Sequence, residues 1–600
     1  MAVPDKILVL DFGSQFTHLL ARRIRDLGVY SEILQPDTPT EELKKAKGII
    51  LSGGPSSVYE KDAPAYNKEI FSLGIPVLGL CYGEQLMAQH LGGHVKPGKT
   101  KEYGHATVNF SAKNILVKGL SKKETVWMSH GDTVDKLPEG FERIGSTNDC
   151  QNAAIANNAK KLFGVQFHPE VTHTKHGMKI LSNFVFGISK CKKNWKISDL
   201  AKKKIEEIKK TAAGKKVFFL TSGGVDSTVA LALLHRALGK TQVVALHVDH
   251  GFMRKNESEK VKKALEKIGI TELKVVDAGK EFFDALKGIV EPEEKRKIIG
   301  DLFVKVADRE TKNLAWNEGE WLLGQGTIYP DTIETKGSKN ASHIKTHHNQ
   351  AEIIKKMSEQ GRVIEPLKDL YKDEVRKLGE KIGLPKNLVW RQPFPGPGLA
   401  IRVLCSDGKE KTDKLMQETV RQIVYRFGFE ATVLPVKAVG VQGDFRTYRF
   451  VCALSGKLDW KKLEQCSTHM TNSLREINRV VFLLEPKKIE SVKPFEADLS
   501  RERVALLQEC DDLVMQEVEK SKKLSKEIWQ FPVVLLPVSV NGKKDAVVLR
   551  PVSSTEAMTA NFYPIEKKAL AIIISKIKKT GVGGVFFDVT HKPPATIEWE

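Results

Sequence analysis

Short apolar runs that break off into glycine, each followed by a helical pattern, constrain this chain more than any other feature. "KILVLDF", "GIILSGG", "PVLGLCYG" and "KKVFFLTSGGVDS" all have this form. A strand that ends in glycine and turns straight into a helix reads as a parallel α/β unit, with its loops at one end of the sheet. Ser14–Leu27 and Gly83–Leu91 supply helical spacing between the runs, so residues 6–186 are expected to form a mostly parallel sheet layered with helices. A second α/β unit begins at Val217, with strands expected at 217–220, 243–248 and near 273–276. The turn-rich "RQPFPGPGLAIR" (391–402) closes it, and mixed strands and helices run on to Glu600.

A chain of 600 residues has room for several domains. The borders expected are 1–188, a basic linker helix over 189–214, 215–400, and 401–600. Residues 190–216 hold eleven lysines against three acidic residues, which suits a solvated linker. The net charge of +21 could draw nucleic acid or simply anionic nucleotides. No nucleic-acid motif accompanies it, so nucleic acid is not expected as a partner. No stretch has the roughly 18–20 consecutive apolar residues of a membrane span, and the first residues lack a signal-peptide layout. Seven cysteines without a CxxC pair suit a reducing compartment. The expectation is a soluble cytosolic protein.

The glycine turns also carry chemistry. Gly79-Leu80-Cys81-Tyr82-Gly83 is a G-x-C-x-G elbow, where glycines allow a tight turn and the helix dipole favours a thiolate. In "VQFHPEV", His168 and Glu170 stand two apart, on the same side of an extended segment. Glu170 can then orient His168, leaving the other ring nitrogen to act on Cys81. "LSGGP" (51–55) is a plausible source of an oxyanion donor. Taken together, GGP, G-x-C-x-G and F-H-P-E resemble the class I glutamine amidotransferases over residues 5–188. The resemblance implies a flavodoxin-like fold, Cys81 as nucleophile and release of ammonia through a glutamyl thioester. It also implies oxyanion N–H groups from Gly54 and Tyr82, and glutamine held by Gln85 and Asp132. Glu84 stands where many members have methionine.

"TSGGVDS" has the strand–glycine–helix form of an anion site but lacks the G-x-x-x-x-G-K-[ST] spacing and its lysine. Ser222, Gly223, Gly224, Val225, Asp226 and Ser227 instead resemble the SGGxDS loop of the PP-loop ATP pyrophosphatases, a Rossmann-like fold of the adenine nucleotide alpha hydrolases. That resemblance implies a loop that cradles the β,γ-pyrophosphate as leaving group, with Asp226 holding Mg²⁺ that accompanies ATP. The bond broken is then α–β, giving an adenylylated substrate.

"GTIYPDTIET", "IKTHHN", "VIEPLKDLYKDEVR", "PFPGPGLAIR", "GVQGDFRTY", "LRPV" and "KPPATIEWE" resemble the glutamine-hydrolysing GMP synthetases, across nearly the whole chain. The resemblance implies ATP, XMP and glutamine as substrates. It also implies a C-terminal α+β domain that binds XMP and supports dimerisation, leaving monomer or homodimer as the expected state. A lid is expected over 328–362, with Asp331, Glu334, Lys345, His347 and His348 in it, joined by Lys368, Asp369 and Lys372. Arg550, Lys592 and Glu598 are the expected XMP contacts. Extra chain is expected inside 455–545, and "HHNQAEII" is similar to the eukaryotic form. Gln442 stands where methionine is usual. Two readings compete: a PP-loop amidase with a nicotinate-type acceptor, and a binding scaffold suggested by the basic charge.

Overall fold

The protein, described as a computed structural model, is defined over residues 5–111, 113–313, 320–329, 331, 360–442, 445–554 and 560–600. It divides into two compact units, residues 1–200 and 201–600.

The first unit is built on nine strands: β1 (Lys6–Leu10), β2 (Tyr30–Leu34), β3 (Gly48–Leu51), β4 (Val77–Leu80), β5 (His94–Phe110), β6 (Lys123–Lys136), β7 (Glu142–Ser146), β8 (Ala154–Asn157) and β9 (Leu162–Val165). They lie in the order β2-β1-β3-β4-β9-β8-β7-β5-β6. Pairs from β2 to β9 are parallel, and β3, β4 and β9 are buried along their whole length. Strands covered on both faces need such continuous apolar runs. The expected mostly parallel sheet holds only for this half. The pairs from β9 to β6 are antiparallel, and β6 alternates exposed and buried residues as a half-covered strand should. The helices Thr17–Asp26 and Tyr82–His90 sit where helical spacing was read.

The basic stretch forms the helix Ile197–Ala212, but it is not solvated all round. Leu200, Lys204, Ile208 and Ala212, spaced by four, are all buried. Lys204 is accommodated by ion pairs to Asp369 at 2.5 Å and Glu207 at 3.0 Å.

In the second unit, β10 (Lys216–Leu220), β11 (Val243–Asp249), β12 (Leu273–Asp277), β13 (Trp321–Gly324) and β14 (Val363–Ile364) form an all-parallel sheet in the order β12-β11-β10-β13-β14. A second, mixed sheet runs 430–442, 445–455, 477–485, 584–588, 546–549, 533–536. One apolar core, from Phe218 and Leu246 to Val480 and Phe587, joins the two sheets. The "PFPGPGLAIR" stretch is part of that join rather than a free connection: Leu399, Ala400 and Ile401 are buried, and Leu399 N–H donates to the Phe252 carbonyl at 2.7 Å. No helix among the described residues is long and apolar enough to cross a membrane.

Candidate active sites

Cys81 sits at the end of β4 with φ +50°, a conformation that a non-glycine residue holds only when its surroundings enforce it. The surroundings here are close. A Cβ on Gly79 would lie 2.5 Å from the Gly83 carbonyl, and one on Gly83 would lie 2.5 Å from the Leu51 carbonyl oxygen. The glycines of the elbow are therefore steric requirements. Tyr82 opens the helix, so its N–H is among the first-turn donors that no helical carbonyl can accept.

His168 and Glu170 come from the segment after β9. Both are buried, and His168 Nδ1 lies 2.7 Å from Glu170 Oε1. Thr174 Oγ1 donates to the His168 carbonyl at 2.6 Å and Phe16 packs edge-on against the ring at 5.2 Å. Burial opposes charge on the ring, but the Glu170 carboxylate and Cys81 outweigh it and push the pKa up to about 10. A Cβ on Gly53 would meet His168 Cε1 at 3.2 Å and Cys81 Cβ at 3.7 Å, so the glycine turn after β3 lies against the pair. Gln85 is buried, its Nε2 donating to the Asp132 carbonyl at 2.9 Å and to Gln166 Oε1 at 3.0 Å. A thiol, an imidazole, a carboxylate bound to that imidazole and a glycine turn thus converge, an arrangement that suits acyl transfer.

In the second unit the loop after β10 is drawn tight by its own hydroxyls. Ser222 Oγ and Ser227 Oγ are 3.2 Å apart, and Ser227 Oγ donates to the Gly224 carbonyl at 3.1 Å. Gly223 has φ +70°, and a Cβ there would strike Val261 Cγ2 at 2.5 Å. Gly224 precedes the helix Val225–Leu238 and Asp226 lies in its first turn. Lys372 Nζ donates to Asp226 Oδ2 at 3.1 Å, while Oδ1 is buried without a partner among the described residues. Such an orphaned carboxylate oxygen at a helix N-terminus fits a hard cation carried in with phosphate.

A third cluster is built around residues 588–600. The Asp588 carboxylate accepts from Arg479 at 2.9 Å, Arg550 at 2.8 Å and Trp599 Nε1 at 3.1 Å. Arg402 grips Glu598 with two nitrogens at 2.8 and 2.7 Å, and Lys295 pairs with Glu600 at 2.8 Å. Lys592 is half-buried, and both burial and the nearby Arg550 guanidinium lower its pKa.

Residues 8–188 match the family described as glutamine amidotransferase class-I. Residues 216–290 match the arginosuccinate synthase N-terminal HUP domain, and residues 516–599 the GMP synthase C-terminal domain. A curated Leptospira interrogans protein named "Probable GMP synthase (glutamine-hydrolyzing)" is 46% identical over 618 residues, covering 100% of both chains. The chain belongs to the glutamine-hydrolysing GMP synthase family. The Aquifex aeolicus GMP synthase is 44% identical over 510 residues, which span 81% of this chain and 99% of that one. The GMP synthase of Lactobacillus gasseri is 45% identical over 515 residues, with shares of 82% and 98%.

Set in that family, the expected site residues fall into groups. Cys81, His168, Glu170, Gly54, Tyr82, Gln85 and Asp132 all belong to the first unit, and Ser222 to Ser227 form one loop in the second. Lys372 reaches Asp226, but Asp369 turns instead to Lys204, and Lys368 is exposed. Glu334, Lys345, His347 and His348 lie outside the described residues, as does most of the expected lid, whereas Asp331 is described and its Oδ2 accepts from Ile328 N–H at 3.3 Å. Arg550 is wholly buried, braced by Asp588 and by the carbonyls of Thr590, Thr596 and Ile597. Sequence reasoning missed Arg391, which donates to the Gly223 carbonyl and pairs with Glu257. It also missed Gly326, where a Cβ would lie 2.9 Å from Ser227 Cα. Both residues stood inside stretches already singled out, "RQPFPGPGLAIR" and "GTIYPDTIET".

Proposed function

We propose that the chain makes GMP from XMP, ATP and glutamine, with AMP, pyrophosphate and glutamate as the other products. The observation that carries this reading is the joint presence, in one chain, of the Cys81–His168–Glu170 arrangement and the Ser222–Ser227 loop. Cys81 attacks the glutamine amide carbon as the thiolate, its proton held on His168; the imidazolium gives that proton to the departing ammonia, the ring then takes a proton from the water that hydrolyses the thioester, and the Cys81 thiolate leaves. The N–H groups of Gly54 and Tyr82 receive the oxyanion, and Gln85 and Asp132 hold the substrate. In the second unit the XMP O2 attacks the α-phosphate of ATP, and ammonia then displaces AMP at C2. The loop N–H groups and the hydroxyls of Ser222 and Ser227 receive the pyrophosphate. Asp226 would hold Mg²⁺, which when bound offsets the charge of the leaving group. Asp331, Glu334, Lys345, His347, His348, Lys368, Asp369 and Lys372 are assigned to the lid and its neighbourhood.

Burial and the nearby Arg550 guanidinium both lower the pKa of Lys592, so two cations stand close together there. A phosphate dianion would offset their repulsion, which supports placing XMP there, with Glu598 held in place by Arg402. The proposed division of labour is 1–188 for glutamine, 189–214 as connecting helix, 215–400 for ATP and 401–600 for XMP. Seven free, buried cysteines support a cytosolic setting. The reading holds for a monomer or a homodimer.

Cys81→Ala tests it directly. The variant should lose glutamine-dependent GMP formation and keep the reaction driven by ammonium. Failure of the wild type to make GMP from XMP, ATP and ammonium would overturn the acceptor assignment.

A further inference from the structure

Asp132 is a junction between segments. Its carboxylate accepts hydrogen bonds from Ser57 Oγ and, at 3.0 Å, the Tyr59 hydroxyl, both on the segment that follows the glycine turn. Its backbone carbonyl accepts two more, from Gln85 Nε2 and from His130 Nδ1, each at 2.9 Å. Gln85 belongs to the helix that starts beside Cys81. The other edge of the His130 ring is also engaged, with Nε2 lying 3.0 Å from Glu102 Oε2. Thr147 Oγ1 donates to the same carboxylate at 3.0 Å and accepts the Cys150 N–H at 2.8 Å.

His130 is buried, and acceptors face both of its nitrogens. The ring cannot turn without losing a bond inside a low-dielectric site, where such a loss is expensive. We propose that the Glu102–His130 pair is a positioning device for glutamine. It fixes the Asp132 peptide so that the Asp132 carboxylate points at the substrate's α-ammonium. This rests on the reading of Asp132 as a glutamine contact.

A metal is the competing use of the same residues. Glu102, His130 and Cys150 offer ligand atoms within 4.8 Å of one another. The Glu102 and His130 atoms that would face an ion already meet each other, and Cys150 Sγ lies 3.4 Å from Thr133 Oγ1. The cluster is closed without an ion.

The test uses His130→Gln, His130→Asn, Glu102→Gln and Asp132→Ala in the full chain, with glutamine and with ammonium. Asparagine can put an amide nitrogen where Nδ1 was and keep the bond to the Asp132 carbonyl. Glutamine reaches towards Glu102 and leaves that carbonyl one donor short. His130→Gln should raise the KM for glutamine about tenfold, with kcat and ammonium-driven GMP formation unchanged. His130→Asn should stay close to wild type, and Glu102→Gln should fall between. An unchanged KM in His130→Gln overturns the proposal, provided Asp132→Ala raises it. If Asp132→Ala leaves KM unchanged, the reading of Asp132 falls and takes the proposal with it. Equal loss of the ammonium reaction in both His130 variants and Glu102→Gln would assign the cluster to folding alone. Stoichiometric zinc in the purified protein would make it a metal centre instead.

Discussion

His168 is subject to opposed influences. Burial disfavours its charged form, whereas the Glu170 carboxylate and Cys81 favour it and win, taking the pKa from the ordinary 6.5 to about 10. The sign follows: the charged ring's contribution to stability is complete below 6.5 and is lost as pH rises through about 10. In the proposed reaction an imidazolium at neutral pH supplies the proton that the departing ammonia needs. Glu170→Gln removes the largest of the influences that raise the pKa. Glutamate release should then fall roughly 100-fold at neutral pH. The alkaline limb of its pH profile should also move from near 10 towards the ordinary histidine range. A limb that stays put would belong to another group. Glu84 is the contrary case among the carboxyls. It is fully buried, neither of its oxygens has a partner among the described residues, and burial followed by Cys81 raises its pKa well above the usual carboxylate range. Burial thus favours the uncharged form of its carboxyl group.

The elements that carry chemistry are held by backbone contacts that no side chain could tolerate. Gly326, just past β13, packs on the first turn of the phosphate-loop helix, where a Cβ would lie 2.9 Å from Ser227 Cα and 3.0 Å from its N. Gly326→Ala should therefore displace the loop and raise the KM for ATP about tenfold or more, while glutamine hydrolysis by the first unit is untouched. Steady-state kinetics on ATP check this; an unchanged KM would mean that the loop has room to spare. What the sequence made legible was local. The Cys81 elbow, the His168–Glu170 spacing and the Ser222–Ser227 loop each lie within a few residues of chain, where steric and periodic rules act. Contacts between distant segments left no such trace. Lys204 reads as one more lysine in a basic run, yet it is buried against Asp369, 165 residues on. The antiparallel half of the first sheet was missed because β5 and β6 pair across a hairpin whose alternation is weaker than the glycine-ended runs.

On the scale of the molecule, the second unit depends on its last residues. Lys295 and Glu600 are buried together although 305 residues apart, and Arg402 and Arg479 close on Glu598 and the carbonyls around it. Removing residues 598–600 would leave Lys295 and Arg402 buried without these carboxylates, at a cost of about 3–5 kcal/mol for a broken buried pair. Calorimetry should show the unfolding transition of the second unit falling while that of the first stays in place, with loss of ammonium-driven GMP formation. An unmoved transition would show that water replaces the lost partners. The mixed sheet has a related property. Its strand 584–588 lies between 477–485 and 546–549, and is synthesised after both. The ribosome therefore releases the first unit whole while the second still has a gap at the centre of its sheet. Until that gap is filled, the edges of 477–485 and 546–549 are open to foreign strands, so the second unit calls for chaperone cover until the last residues of the chain have been made.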